Sequence, residues 1–194
     1  MLKGSQLVGG SSKTRKRTEN DFYATPPDAT RMILREVKFS GENILEPACG
    51  QGHISKVLKE FYPDKEIIST DLIDRGYGIG GIDFLTYDYR KPIDNIITNP
   101  PFKLINSFIE KSLAVARKKG VLFGKLQLLE SVSRYKLLIN SPLKYVYIHV
   151  KRVNPYKNGN PVDEKGKPWN STMAFAWFVW EQGYTGEPVV RFLI

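Results

Sequence analysis

The chain of 194 residues contains one cysteine, Cys49, and two histidines, His53 and His149. A lone cysteine excludes an internal disulfide framework and any multi-cysteine zinc site. Two isolated histidines do not make a metal centre, so no metal is expected. No apolar run approaches the roughly 20 residues of a membrane helix, and the N-terminus lacks the apolar stretch of a signal peptide. The chain therefore reads as soluble, without a membrane partner, and cytoplasmic. Acids are also scarce: 29 Lys and Arg face 20 Asp and Glu, a formal charge of +9. Lys3, Lys13, Arg15, Lys16 and Arg17 lie within the first 17 residues, which hold no acid. Such an excess is compatible with a polyanionic partner such as nucleic acid, and also with a plain Lys-rich surface. What is plentiful is apolar matter. With 41% hydrophobic and 12% aromatic residues, the chain can bury a core, and wholesale disorder is excluded.

Residues 1–17, with Gly-Gly-Ser-Ser and the basic run, read as a mobile arm, and residues 18–194 as one domain. Pro26 and Pro27 mark a helix start, after which Ile33, Leu34 and Val37 recur at helical spacing. Strand-like and helix-like segments then alternate. "NILEPA" is a strand and "HISKVLKEFY" a helix with Ile54, Val57, Leu58 and Phe61 on one face. "EIISTD" is a second strand, a short third is expected near Asp83, and "DNIITN" is the next. "KLINSFIEKSLAVARKKG" is the longest helical segment, stopped at Gly120. "VLFGKLQLL" is a strand, "ESVSRYKLLI" a helix, and "KYVYIHV" and "TMAFAWFVW" are the last strands. The alternation predicts an α/β fold, a mostly parallel sheet with helices on both faces. A Lys/Gly/Pro/Asn-rich loop rather than a helix joins the final two strands, so they should pair antiparallel.

In such sheets ligands bind beyond the carboxyl ends of the strands. Polar residues collect there: Glu46, Asp71, Asp83 and Asn99. In "EPACGQGHI", Gly50 and Gly52 occupy the turn after the first strand, where glycine permits positive φ and close approach of a ligand. A dinucleotide fingerprint would need a third glycine, but Ser55 stands there. Glu46 would also set negative charge against a pyrophosphate, which favours a cationic or zwitterionic cofactor. Asp71, ending the second strand, is placed to accept hydrogen bonds from both hydroxyls of a ribose. "RGYGIGG" follows the second strand rather than the first and reads as a flexible connection. "IDNIITNPPFKLI" ends an apolar run on Asn99, Pro100, Pro101 and Phe102. Two prolines remove two backbone donors and fix two φ angles, so the chain there is stiff and can aim a few polar groups.

Together, "EPACGQG", the strand-end Asp71 and "NPPF" resemble the motifs of Rossmann-like S-adenosylmethionine-dependent methyltransferases, in particular the N6-adenine DNA methyltransferases. "FYATP" is similar to that family's upstream motif, and the closing "MAFAWFVWEQGYTGEPVVRFLI" to the tail of small phage and prophage members. The resemblance spans residues 21–194. It implies a Rossmann-like methyltransferase fold with a seven-stranded sheet whose last strand is antiparallel, acting in a bacterial or phage-infected cytoplasm. It also implies that Tyr23, Thr25, Glu46, Pro47, Ala48, Gly50 and Gly52 surround the methionine part of the cofactor. Asp71 would hold the ribose, Leu72 would pack on the adenine ring, and Asp83 with Phe84 would meet the adenine edge. Asn99 and the Pro100 carbonyl would accept hydrogen bonds from a flipped adenine's amine, with Phe102 stacked on the base. Cys49 has no part in such chemistry.

Lys151, Arg152, Lys157, Lys165 and Lys167 alternate with Tyr156 and Trp169 in the loop before the final strand. That mixture suits phosphate contact plus stacking, so DNA, or RNA, is the expected partner. Larger relatives carry a separate target-recognition domain, for which residues 21–194 leave no room. Three other readings stand beside DNA: an RNA adenine methyltransferase, a protein-glutamine methyltransferase, and a non-catalytic nucleic-acid-binding module of the same fold.

Overall fold

A two-residue strand, Tyr23–Ala24 (β1), leads into the first helix, Pro27–Glu36 (α1). Pro27 fits the first turn because its missing N–H would have had no intrahelical partner, and Asp28 sits at the positive end of the helix. The computed structural model describes residues 22–194, so the expected basic arm, residues 1–17, lies outside the described residues. Then follow Asn43–Glu46 (β2), His53–Phe61 (α2), Glu66–Ser69 (β3), Ile93–Thr98 (β4), Ile105–Val115 (α3) and Ala116–Lys125 (β5). Val132–Ile139 (α4), Leu143–His149 (β6), Tyr156–Lys157 (β7), Phe175–Glu181 (β8) and Val189–Leu193 (β9) complete the order.

Seven strands form one sheet in the order β3–β2–β4–β5–β8–β6–β9, and β1 pairs with β7 as a separate ribbon. In the large sheet only β8 runs against its neighbours, β5 and β6. This is the expected α/β sheet, with the antiparallel strand where "TMAFAWFVW" was read. β8 is buried along almost its whole length, because the sheet closes around it. Its residues alternate between two cores. Trp177 and Val179 face α1 and α2, packing with Ile33, Leu34, Val57 and Leu58. Phe178 and Trp180 face α3, packing with Phe108 and Ile109, while Leu137 and Leu138 of α4 close the same side. Each such side chain contributes about 1.5–3 kcal/mol by leaving water.

Three expectations are corrected. The long helix stops at Val115, not Gly120, and the chain turns directly into β5. Ala116 is buried opposite Ile93. Lys119 lies opposite Glu181, whose carboxylate it approaches at 3.5 Å, with Lys144 at 3.2 Å. Tertiary pairing thus overrides the helical look of Arg-Lys-Lys. Near Asp83, among the described residues, no strand forms. The Asp83 carboxylate accepts the Leu85 N–H at 3.0 Å and its carbonyl accepts Tyr87 N–H at 2.8 Å, which makes a turn. All that remains of a third parallel strand is an isolated bridge between Thr70 and Ile79. The seventh strand is instead β9, parallel to β6 at the opposite edge. Its side chains are mostly exposed, so it carries little of the alternation by which a strand is read.

Candidate functional site

The carboxyl ends of β2, β3 and β4 meet the β1–β7 ribbon on one rim of the sheet. Asn99 follows β4 directly and donates its Nδ2 to the Tyr23 carbonyl at 2.7 Å. A carbonyl only accepts, so this bond fixes which way the amide faces and leaves Oδ1, an acceptor, for a ligand. Pro100 is buried and Pro101 exposed. The Pro101 carbonyl accepts Leu104 N–H at 2.8 Å and starts the short 3-10 turn Phe102–Leu104. Phe102 is half-buried. Its ring packs on Phe175 with centroids 5.9 Å apart, Phe175 stacks on Phe123 at 5.2 Å, and the Lys125 ammonium lies 5.2 Å from the Phe102 centroid. Asn99 is thus braced by backbone and Phe102 by an aromatic stack reaching into the core.

Glu46 ends β2 and is 2% exposed. It accepts the Ser55 hydroxyl, and Ser55 Oγ lies 2.6 Å from Ser69 Oγ. Burial pushes its pKa up to about 8, with the nearby Asp71 charge adding to the rise. A carboxyl so held is neutral or ionised according to what faces it, and a cation arriving there would draw the proton off. Thr25 and Thr98 are almost fully buried, and their hydroxyls find no hydrogen-bond partner among the described residues. They flank the Tyr23–Asn99 contact in sequence, and buried hydroxyls of this kind are usually satisfied.

Asp71 follows β3 and is held by two backbone donors, Gly50 N–H at 2.8 Å and Ile73 N–H at 2.9 Å, one on each oxygen. A lone pair on each oxygen stays available. Leu72 beside it is 59% exposed, unusual for leucine and suited to a flat apolar ligand. Asp83 is exposed, whereas the Phe84 side chain is buried against Phe108 with centroids 5.0 Å apart. Phe84 can therefore offer a ligand only its backbone. Pro47 is buried and Ala48 half-buried in the turn after β2.

The "RGYGIGG" segment is not a loose connection. It folds back over the glycine turn, with Tyr77 against Gly52, where a Cβ would come within 2.5 Å of the ring. Gly52 also has φ of 80°, so a side chain is opposed on both counts. Gly78 has φ of 70° and passes so close to β3 that a Cβ would meet the Ser69 carbonyl at 2.5 Å. Lys56 and Lys59 approach the Tyr77 ring at 5.2 and 5.4 Å, and Arg75 lies 4.4 Å from the Phe22 centroid. Tyr77 was not read from sequence. Its signal was an aromatic ring inside a glycine cluster one strand after the first glycine turn.

The basic loop is ordered by its own hydrogen bonds. Asp163 Oδ1 accepts Lys165 and Lys167 N–H, both at 2.9 Å, so these exposed lysines stand on a tight turn. Trp169 Nε1–H donates to the Asn160 carbonyl at 2.6 Å, and Arg152 donates to the Ser171 carbonyl at 2.7 Å. Lys151 is exposed. Tyr156 and Lys157 form β7, opposite Ala24 and Tyr23, and Tyr156 meets the His53 ring edge-on at 6.2 Å. The loop is therefore fastened to the "FYATP" segment and to the N-terminus of α2. His149 is buried against Phe123, and desolvation lowers its pKa to about 4. Cys49 is buried, its thiol pushed up to about 12, and is inert packing. Among the described residues no cluster of His, Cys, Asp or Glu could hold a metal ion, and no helix is long and apolar enough to cross a membrane.

Sheet order, the single antiparallel strand and the acid and glycine turn after β2 define a Rossmann-like methyltransferase fold. No protein-family model matches the chain. Over 98 residues, 45% of this chain and 26% of the relative, it is 29% identical to the type II methyltransferase M.CvrRI of Paramecium bursaria Chlorella virus XZ-6E. Among solved structures, a type I restriction-modification methyltransferase subunit from Streptococcus thermophilus superposes with TM-score 0.63 at 12% identity, covering 89% of this chain and 48% of the other. A putative RNA methyltransferase from Pyrococcus horikoshii gives 0.62 at 14%, covering 82% and 86%. A modification subunit of a putative type I restriction enzyme from Vibrio vulnificus gives 0.57 at 16%, covering 86% and 45%. The matched part of this chain spans about a quarter of the curated relative.

Proposed function

We propose that this chain transfers a methyl group from S-adenosylmethionine to the exocyclic N6 amine of adenine in DNA. The observation that carries the reading is the Asn99 amide, pinned through Nδ2 to Tyr23 so that Oδ1 is presented as an acceptor beside Pro100 and Phe102. An exocyclic adenine amine is a weak nucleophile because its lone pair is delocalised into the ring. Asn99 Oδ1 and the Pro100 carbonyl accept its two N–H groups, draw the nitrogen towards tetrahedral geometry and localise the lone pair. Both contacts strengthen as positive charge develops on nitrogen, so they favour the transition state over the ground state. Phe102 stacks on the extruded base, and stacking worth about 1–3 kcal/mol offsets part of the cost of flipping.

The residues on the other side of the rim fit the cofactor. Glu46, buried with no ion pair among the described residues, suits the ammonium of its methionine part, and Tyr23, Thr25, Pro47, Ala48, Gly50 and Gly52 surround that part. Asp71 takes the ribose, Leu72 the adenine face, and Asp83 with the Phe84 backbone the adenine edge. When bound, S-adenosylmethionine supplies a methyl already activated on a sulfonium, so the chain's task is chiefly alignment. Lys151, Arg152, Lys157, Lys165 and Lys167 contact phosphates, with Tyr156 and Trp169 beside them. The relative is named a type II methyltransferase, and two of the structural neighbours are named as a type I restriction-modification methyltransferase subunit and a modification subunit of a putative type I restriction enzyme, which supports nucleic acid as substrate.

The test is incubation with methyl-labelled S-adenosylmethionine and separate DNA, RNA and protein pools, followed by hydrolysis and identification of the labelled residue. N6-methyladenine from the DNA pool is expected. Label in RNA adenine or in protein glutamine would move the substrate, and no label in any pool would overturn the reading.

A further inference from the structure

We propose that Asn158, in the basic loop, is a positioning residue that sets the orientation of the Asn99 amide. The inference rests on the function proposed above. The "FYATP" carbonyl that holds Asn99 belongs to a ribbon of two residues per strand, Tyr23 opposite Lys157 and Ala24 opposite Tyr156. A two-stranded ribbon this short does not hold its own register in water. Asn158 closes its end. It adopts φ of 51°, in the left-handed region that asparagine tolerates better than most residues. It donates its N–H to the Phe22 carbonyl at 2.8 Å and accepts the Phe22 N–H on its side-chain oxygen at 3.3 Å. One residue thus binds both backbone groups of Phe22, the neighbour of Tyr23. The loop itself rests on the turn that enters α2, with Gly159 packed so closely against Gln51 that a Cβ would lie 2.1 Å from its side-chain oxygen.

The consequence reaches the reacting group through one further bond, Asn99 Nδ2–H to the Tyr23 carbonyl at 2.7 Å. A slip of the ribbon by one residue turns alternate carbonyls to the opposite side. Asn99 would then lose the carbonyl that keeps Nδ2 inward. A rotated amide would present N–H donors to the N–H donors of the amine, and the acceptor role would be lost. The basic loop therefore does more than supply charge, since it holds the acceptor of the reaction in the right sense from 59 residues further along the chain.

Asn158→Gly keeps the left-handed backbone and its N–H but removes the side-chain acceptor, whereas Asn158→Asp keeps that acceptor. With labelled S-adenosylmethionine and adenine-containing duplex DNA, Asn158→Gly should slow single-turnover methyl transfer roughly tenfold, with cofactor affinity within about twofold of the parent. Asn158→Asp should restore most of the rate. The same Gly change made on Asn99→Asp should cost little more, because the two oxygens of a carboxylate are equivalent and no amide orientation needs protecting. The Asn99 side-chain NH2, assigned by its loss in Asn99→Asp, should exchange with solvent roughly tenfold faster in Asn158→Gly. Equal transfer rates in the parent and Asn158→Gly, or an undiminished Gly effect on Asn99→Asp, overturns the proposal. Absence of transfer by the parent protein sinks the methyltransferase reading instead. In that case the exchange measurement still decides the positioning role, an unchanged Asn99 signal rejecting it.

Discussion

On one half of the rim, β2, β3 and β4 are four to six residues long; β2 ends in Glu46, and β3 and β4 lead into Asp71 and Asn99. On the other half, β5 and β6 end at Lys125 and His149 and the antiparallel β8 begins at Phe175; these strands run seven to ten residues, with aromatic stacking between them. The first half offers acceptors and a buried acid, each fixed by hydrogen bonding: Asp71 by backbone N–H groups of two turns, Glu46 by the Ser55 hydroxyl of α2, and Asn99 by the Tyr23 carbonyl of β1. The second offers rings, held by burial. Under the function proposed above, a ligand with hydroxyls and a positive charge belongs to the first half and a flat aromatic one to the junction between them, where Asn99 adjoins Phe102, so the division would separate binding from reaction.

Substitutions can break that division. The largest effect is expected for Asn99→Ala, which should lower the methyl-transfer rate on the order of 10²–10³-fold while cofactor affinity measured by calorimetry stays nearly constant. Asp71→Ala should do the reverse, weakening cofactor binding roughly 10- to 100-fold with the rate at saturating cofactor little changed. Equal effects of both changes on rate and affinity would show that the halves are not separate.

Glu46 sharpens the comparison by pH. Its folded pKa, about 8, lies above the ordinary 4.5. The group therefore favours the folded state most below 4.5, and this contribution fades as pH rises through 8. A ligand ammonium binds the ionised form, so cofactor affinity should rise between about pH 6 and 8, by up to roughly tenfold per unit. Glu46→Gln should flatten that rise. The smallest effect is expected from Lys165→Gln with Lys167→Gln. The pair should weaken DNA binding several-fold and reduce its salt slope by about 2, leaving cofactor affinity untouched.

Legibility followed the same divide. Glu46, the glycine turn, Asp71 and Asn99 are each local, a polar residue at the end of an apolar run, and chain order alone aligns them on one rim. The strand expected at Asp83 failed because the Asp83 carboxylate captures the Leu85 N–H and makes a turn, a competition decided within three residues. β9 was missed because an edge strand with exposed side chains has no buried face to impose a period of two. The β1–β7 ribbon and the Asn158 clamp join residues 132 to 136 positions apart, and no spacing rule reaches so far. Tyr77 belongs to the same class, a contact across the rim rather than along the chain.

The insertion of β8 between β5 and β6 also bears on assembly during synthesis. β5 and β6 have no ladder to each other and wait for residues 175–181, whose ring-rich side chains complete both cores. Until that segment leaves the ribosome, the edges of both strands that face β8 lie unpaired. A nascent chain arrested before Phe175 should thus be cut readily by protease throughout its second half, and one released past Glu181 should resist.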